Sequence, residues 1–198
     1  MLISDILPAT SPADQIPGPP QGQWTYADYA LIQAEGVRYE LISGVLYMTP
    51  APSTSHQSVS NLLATYLTLH VQLVGLGKVF SAPTDVELFP GTVVQPDILV
   101  ISSSNEGCIT PSRIIGPPDL VVEIVSPSTA GYDRREKQDA YAAAGVPEYW
   151  LVDPSTQTVE LLILEQGSYR SQGLFRGQAQ LPSRAIQHLP VAVAAFFG

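Results

Sequence analysis

Two carboxylates stand inside runs that otherwise read as buried β-strand: Asp97 in VVQPDILVIS (Val93 to Ser102) and Glu123 in DLVVEIVSPS (Asp119 to Ser128). An ionised carboxylate in an apolar strand costs several kcal/mol of desolvation, so it needs a partner, a proton or a metal. Two such positions in one chain point to strands that meet. Alternation puts Val121, Glu123 and Val125 on one strand face and Val122, Ile124 and Ser126 on the other. Both faces are apolar around Glu123, which marks a central strand. Asp97 follows Pro96. Proline cannot donate to a ladder and sits at an edge, an end or a bulge, where a kink would aim Asp97 at its neighbour.

Two converging carboxylates raise each other's pKa unless a cation lies between them. Hard oxygen ligands of this kind suit Mg2+ or Mn2+. Lys137 lies on the helix expected directly after the Glu123 strand. Arg134, Lys137 or Gln138, and Tyr141 share one face of that helix. If that face looks back at the strands, an ammonium joins the acids. Two acids, a metal and a lysine form a set suited to phosphodiester hydrolysis.

The punctuation of the chain predicts the rest. Residues 1–22 are rich in Pro, Gly, Ser and Gln and read as a flexible arm, leaving 23–198 as a single domain. Thr25 reads as the N-cap of a short helix to about Ala34, stopped by Gly36. Arg38 to Thr49 alternates around Ser43-Gly44, a hairpin. A helix is expected from Ser55 to Val74, with Leu62, Leu63, Tyr66, Leu69 and Leu73 at helical spacing. Strands follow at Val79–Phe89, Val94–Ile101 and Leu120–Ser126. Ser128 and Thr129 offer caps to the next helix, and Gly145 and Pro147 end it. A strand at Glu148–Val152, a meander (Val159–Leu164, Tyr169–Phe175) and an apolar tail (Val191–Phe197) complete the chain. Helices between strands give an α/β or α+β architecture with a mixed sheet.

With 45% apolar and 14% charged residues, the chain is globular. The single cysteine, Cys108, permits no internal disulfide, which fits a reducing cytoplasm. No apolar run approaches the ~18 residues needed to span a bilayer, and MLISDILPATSP lacks the basic start of a signal peptide. A net charge of −9 counts against a broad footprint on nucleic acid. It leaves room for a local basic site, for which Arg113, Arg134, Arg135 and Lys137 are candidates.

The stretches YELISGVLYMTPAPSTSHQ, VVQPDILVIS, PDLVVEIVSPSTAGYDRREKQDAYAAAGVPEYWLVDP and VELLIL together resemble the PD-(D/E)XK nuclease superfamily. Within it they are most similar to the Uma-two branch of restriction-endonuclease-type proteins, common in cyanobacteria. The resemblance covers about residues 24–198. It implies a restriction-endonuclease-like core, a mixed sheet between helices, with an N-terminal hairpin and a C-terminal meander. It also implies a divalent-metal site for Mg2+ or Mn2+. Asp97 matches the Asp of the PD motif, and Glu123 the acidic residue of the (D/E)XK motif. The backbone carbonyl of Ile124 would be a further metal ligand. Val125 stands where that motif has lysine, and Lys137 looks like the migrated replacement seen in this branch. His56 falls where the superfamily often carries a polar active-site residue, and Glu40 would be an additional ligand.

Each of these residues has an ordinary alternative. Asp97 could cap amides after Pro96. Glu123 could pair with Arg134 or Arg38, and Glu40 with a cross-strand neighbour. Tyr141 and Trp150 read most simply as packing. The resulting expectation is a metal-dependent endonuclease acting on DNA as a cytoplasmic homodimer, since duplex cleavage needs two sites related by two-fold symmetry. The alternatives are a non-catalytic nucleic-acid-binding or assembly protein that keeps the fold, and a phosphoesterase acting on small substrates.

Overall fold

Strand runs that read as continuous in the sequence are each cut by a proline, and the cut sends the chain from one sheet to another. The computed structural model describes residues 10–32, 37–126 and 129–198. The expected strand Val79–Phe89 splits into β4 (Gly77–Ser81) and β5 (Val86–Phe89) around Pro83. The expected strand Val94–Ile101 splits into β6 (Thr92–Val94) and β7 (Ile98–Ser102) around Pro96. Neither proline has an N–H to give a ladder, so the break falls where pairing cannot continue. Asp97 therefore sits at a crossing between sheets, immediately before β7.

The first sheet has the order β1-β3-β2-β6-β5-β8, built from β1 (Ser11–Pro12), β2 (Arg38–Ile42), β3 (Val45–Thr49), β5, β6 and β8 (Ile114–Ile115). The second has the order β12-β11-β10-β9-β7-β4. It adds β9 (Leu120–Ile124), β10 (Glu148–Asp153), β11 (Thr158–Glu165) and β12 (Ser168–Arg176). Both sheets are mixed. β9 pairs parallel with β10 and antiparallel with β7, and β5 pairs parallel with β8. The mixed α+β architecture is as expected, with two mixed sheets in place of one.

The β2–β3 hairpin turns at Ser43 and Gly44, both with positive φ (51° and 75°). A side chain at Gly44 would come within 2.5 Å of the Gly22 carbonyl oxygen, so this turn needs glycine for space as well as for conformation. The stretch expected as a flexible arm is docked over part of its length. Ser11 and Pro12 pair with β3, and Ala13 is buried. Ala13 shares a small core with Trp24 and Leu46.

Thr25 caps the short helix α1 (Tyr26–Tyr29) through a capping box with Asp28. Ala34 and Gly36, read as its end, and Ser128, read as a later cap, lie outside the described residues. The long helix α2 (Thr54–Leu67) starts at the N-cap Ser53 and runs into a π turn, Thr68–Gln72. Its buried stripe is Val59, Leu63, Leu67 and Val71, whereas Leu69 and Leu73 are exposed. The correction has a simple origin: an i, i+4 row packs on the sheet, and the expected Leu69–Leu73 row lies on the opposite side.

Beyond β9, α3 (Ala130–Tyr132), a π turn (Asp133–Lys137) and α4 (Gln138–Ala144) follow one another directly, ended by Gly145 in the left-handed conformation. The second sheet separates two cores. α2 and the C-terminal turn Val193–Phe196 pack on the face carrying Ile98, Val122 and Ile124. The α3–α4 stretch and the first sheet pack on the face carrying Leu99, Val121 and Val125. Alternation therefore turns Glu123 towards the helix that bears Lys137.

Candidate active site

The antiparallel register of β7 and β9 pairs Ile98 with Val122. One step beyond the ladder, this sets Asp97 opposite Glu123. The Asp97 carboxylate accepts at Oδ2 from the Ile124 amide (2.8 Å) and contacts His56 Nε2 (2.9 Å). His56 reaches it because Ser53 fixes the start of α2, accepting from the His56 amide (3.2 Å).

On the helix side, Lys137 Nζ lies 2.9 Å from Glu123 Oε1 and 2.9 Å from Glu40 Oε1, and is buried. Its third potential partner, Asp133, is 4.0 Å away, too far for a hydrogen bond. The Tyr141 hydroxyl donates to the same Glu123 Oε1 at 2.6 Å. Glu40 also accepts from the Gln95 amide (2.7 Å). Asp97, Glu123, Lys137, His56, Ile124 and Glu40 thus line one cavity of about 110 Å³. It opens beside a larger groove of about 640 Å³ that shares Arg38, His56, Gln95 and Asp97.

The expected basic set does not assemble. Arg113 pairs with Glu87 (2.7 Å) and covers the Tyr26 ring, Arg134 pairs with Glu160 (2.7 Å), and Arg135 binds the Gly131 carbonyl. Arg134 shares a helical face with Lys137 only nominally, because the π turn widens the helix between them. Glu123 pairs with neither Arg134 nor Arg38.

Four buried carboxylates, Glu40, Asp97, Glu123 and Asp133, face one ammonium. Burial would raise Asp97. The hydrogen bond and charge of His56, the charge of Lys137 and the Ile124 amide outweigh it and hold this carboxyl below its usual value. Burial pushes Glu123 up to about 8 against the pull of Lys137, and the charges of Asp97, Asp133 and Glu40 add to the rise. Burial likewise lifts Asp133 to about 6. Burial alone would lower Lys137, but Glu123, Glu40, Asp133 and Asp97 together raise it, so the ammonium is permanent. Among the described residues, four carboxyls line the cavity against the Lys137 ammonium and the Arg38 guanidinium, so the cations are outnumbered.

A buried acid with a purely architectural task looks different. Glu148 fills both of its oxygens, taking the Trp150 indole N–H (2.6 Å) on one and the Arg184 and Ala185 amides (2.7 and 2.9 Å) on the other. By contrast, Asp97 Oδ1 and Glu123 Oε2 make no hydrogen bond with the described residues, and both side chains line the cavity. Glu40 Oε2 is buried without a partner among the described residues. Hard, uncommitted carboxyl oxygens that outnumber the cations around them fit Mg2+ or Mn2+. Among the described residues no three His, Cys, Asp or Glu side chains form a ready cage. A cation here would rest on Asp97 and Glu123, as Mg2+ commonly does with one or two carboxylates.

Residue-by-residue reading missed Tyr141, taken as packing, and did not single out Asp133. Both lie four residues from Lys137, and that spacing was the available signal. The Ile124 amide left no trace in the sequence, since backbone donors carry no residue identity.

Comparison with known proteins follows the same outline. A crystal structure of a putative nuclease belonging to DUF820 from Anabaena variabilis superposes with a TM-score of 0.74 at 20% sequence identity, covering 88% of this chain and 97% of that one. At that identity the likeness speaks for the fold. No curated protein matches. Among the described residues no helix is long and apolar enough to cross a membrane. A family model described as "putative restriction endonuclease" matches residues 25–194, a span that contains every acid of the cavity and its lysine. By that match over most of its length, the chain belongs to the Uma2 family.

Proposed function

We propose that this chain is a metal-dependent nuclease that hydrolyses phosphodiester bonds of nucleic acid, with DNA as its substrate. One observation carries the reading: among the described residues, Asp97 and Glu123 each leave one oxygen unbonded at a cavity whose only ammonium is already committed to two other carboxylate oxygens. Asp97 and Glu123 would hold Mg2+ or Mn2+, with the Ile124 carbonyl and Glu40 Oε2 as further oxygen donors. When bound, the ion polarises the phosphate and lowers the pKa of water.

The protein's own groups do the remaining work. Glu40 and Glu123 fix two of the three N–H bonds of Lys137. The third is left to orient the attacking water or to meet charge developing on phosphorus. His56 and the Ile124 amide hold Asp97 ionised and pin its Oδ2, which leaves Oδ1 for the metal. Tyr141 and Lys137 pin Glu123 Oε1 and leave Oε2. We place the protein in the cytoplasm as a homodimer; light scattering on the purified chain tests the oligomer.

The direct test is cleavage of DNA with Mg2+ or Mn2+. The wild-type protein is expected to cut, and Asp97→Ala is expected to abolish cutting while retaining cooperative unfolding. Wild-type protein that cuts no nucleic acid with either ion refutes the proposal. A second reading, a non-catalytic nucleic-acid-binding protein, is favoured by the net charge of −9 and by Val125 at the motif's lysine position. Calorimetric titration with Mn2+ separates the two. Heat that survives Glu123→Gln unchanged supports the second.

A further inference from the structure

The groove beside the acid cavity has a lining that bears on substrate form. Of the nine Lys and Arg residues, only Arg38 lines it, and Lys137 within the cavity is pinned by Glu40 and Glu123. The residues outside the described ones carry no Lys, Arg or His side chain. Proteins that grip duplex DNA through its backbone neutralise about 6–10 phosphates. This groove offers one or two such contacts.

What the groove offers instead is hydrogen bonding. α2 turns Gln57, next to His56, and Ser60 and Asn61, about one turn further along the helix, into it. The side-chain amides of Gln57 and Asn61 are exposed and make no hydrogen bond with the described residues. They lie four residues apart on one face, about 6 Å along the helix axis. Each amide carries two N–H donors and a carbonyl acceptor, a match for the edge of a base. Unpaired bases present every edge, the Watson–Crick edge included, whereas a duplex leaves open only the edges that face its grooves. At about 640 Å³ the groove has the size of a small-molecule site, roughly 300–1,000 Å³, and admits one or two nucleotides.

We propose that the groove takes a single strand of nucleic acid, with Gln57 and Asn61 meeting the edges of unpaired bases and Arg38 meeting one phosphate. This rests on the nuclease reading above.

The test compares Mn2+-dependent cleavage of a labelled 12-nucleotide single strand with cleavage of its duplex, at about 50 and 200 mM salt. The single strand is expected to be cut at least ten times faster. With two phosphate contacts, its kcat/KM is expected to fall only about sevenfold over that salt range, against the roughly thousandfold or greater loss of a backbone binder. The double variant Gln57→Ala/Asn61→Ala changes exposed side chains and should fold. It is expected to raise KM for the single strand roughly 5- to 150-fold while kcat stays within about threefold. Preference for duplex, a loss with salt of a thousandfold, or an unchanged KM overturns this proposal and leaves the nuclease reading standing. Cleavage of neither form overturns the nuclease reading, and this proposal with it.

Discussion

Glu123→Gln should stabilise the folded chain at neutral pH while removing its metal-dependent chemistry. Gln is the near-isostere of the protonated acid. Its carbonyl can still accept from Lys137 and Tyr141 where Glu123 Oε1 does now, and Lys137 keeps Glu40 at 2.9 Å. The native Glu123 carboxyl rises from 4.5 to about 8 on folding, burial being the largest cause. The folded state therefore binds this proton more tightly than the unfolded state. Stability is lost as pH rises from about 4.5, and the loss is complete above about 8. At about 1.4 kcal/mol per pH unit, the loss reaches about 3 kcal/mol at pH 7, with a ceiling of about 5 kcal/mol. Asp97 and Asp133 titrate in both proteins and largely cancel in the difference. The assay is urea denaturation of both proteins from pH 5 to pH 9 without metal. The curves should lie within about 1 kcal/mol at pH 5 and diverge in favour of Gln by roughly 4 kcal/mol at pH 8. Adding Mn2+ should then stabilise the parent alone, by RT ln(1 + [Mn2+]/Kd). A Gln variant less stable than the parent at pH 8 without metal would refute the upward shift of the Glu123 carboxyl on which this difference rests.

Three further outcomes follow from the same geometry. Tyr141→Phe removes one of two donors to Glu123 Oε1, so the alkaline shift of Glu123 should grow and Mn2+ affinity near pH 7 should fall, read by calorimetry across pH. His56→Ala removes the leading counterweight to the burial of Asp97, so the Asp97 carboxyl should rise and the acid limb of the cleavage rate should move to higher pH. Glu148→Ala strands two backbone amides and the Trp150 indole N–H, and should cost about 3 kcal/mol or more by thermal or urea unfolding.

Much of this protein was legible in its residues, because local rules act over a few positions. Alternation placed Glu123 on the β9 face that meets α4, Ser43-Gly44 marked the hairpin, and Thr25 and Gly145 marked helix ends. The pairing of Asp97 with Glu123 was inferable because a buried charge demands company. Where local signals are two-sided, tertiary contact decided. The two prolines showed where strands break, yet only packing determined that each break sends the chain into a different sheet. The α2 pattern allowed two apolar rows, and contact with the sheet selected Val59–Leu63–Leu67–Val71 over Leu69 and Leu73. Arg113, Arg134 and Arg135 are equivalent to Lys137 as charges, and only the fold gives those three partners outside the cavity and sets Lys137 among its acids. Periodicity can state which face a side chain takes. The distance at which Tyr141, Lys137 and Glu40 gather on the acids depends on contacts between segments far apart in the chain, which no local window of sequence contains.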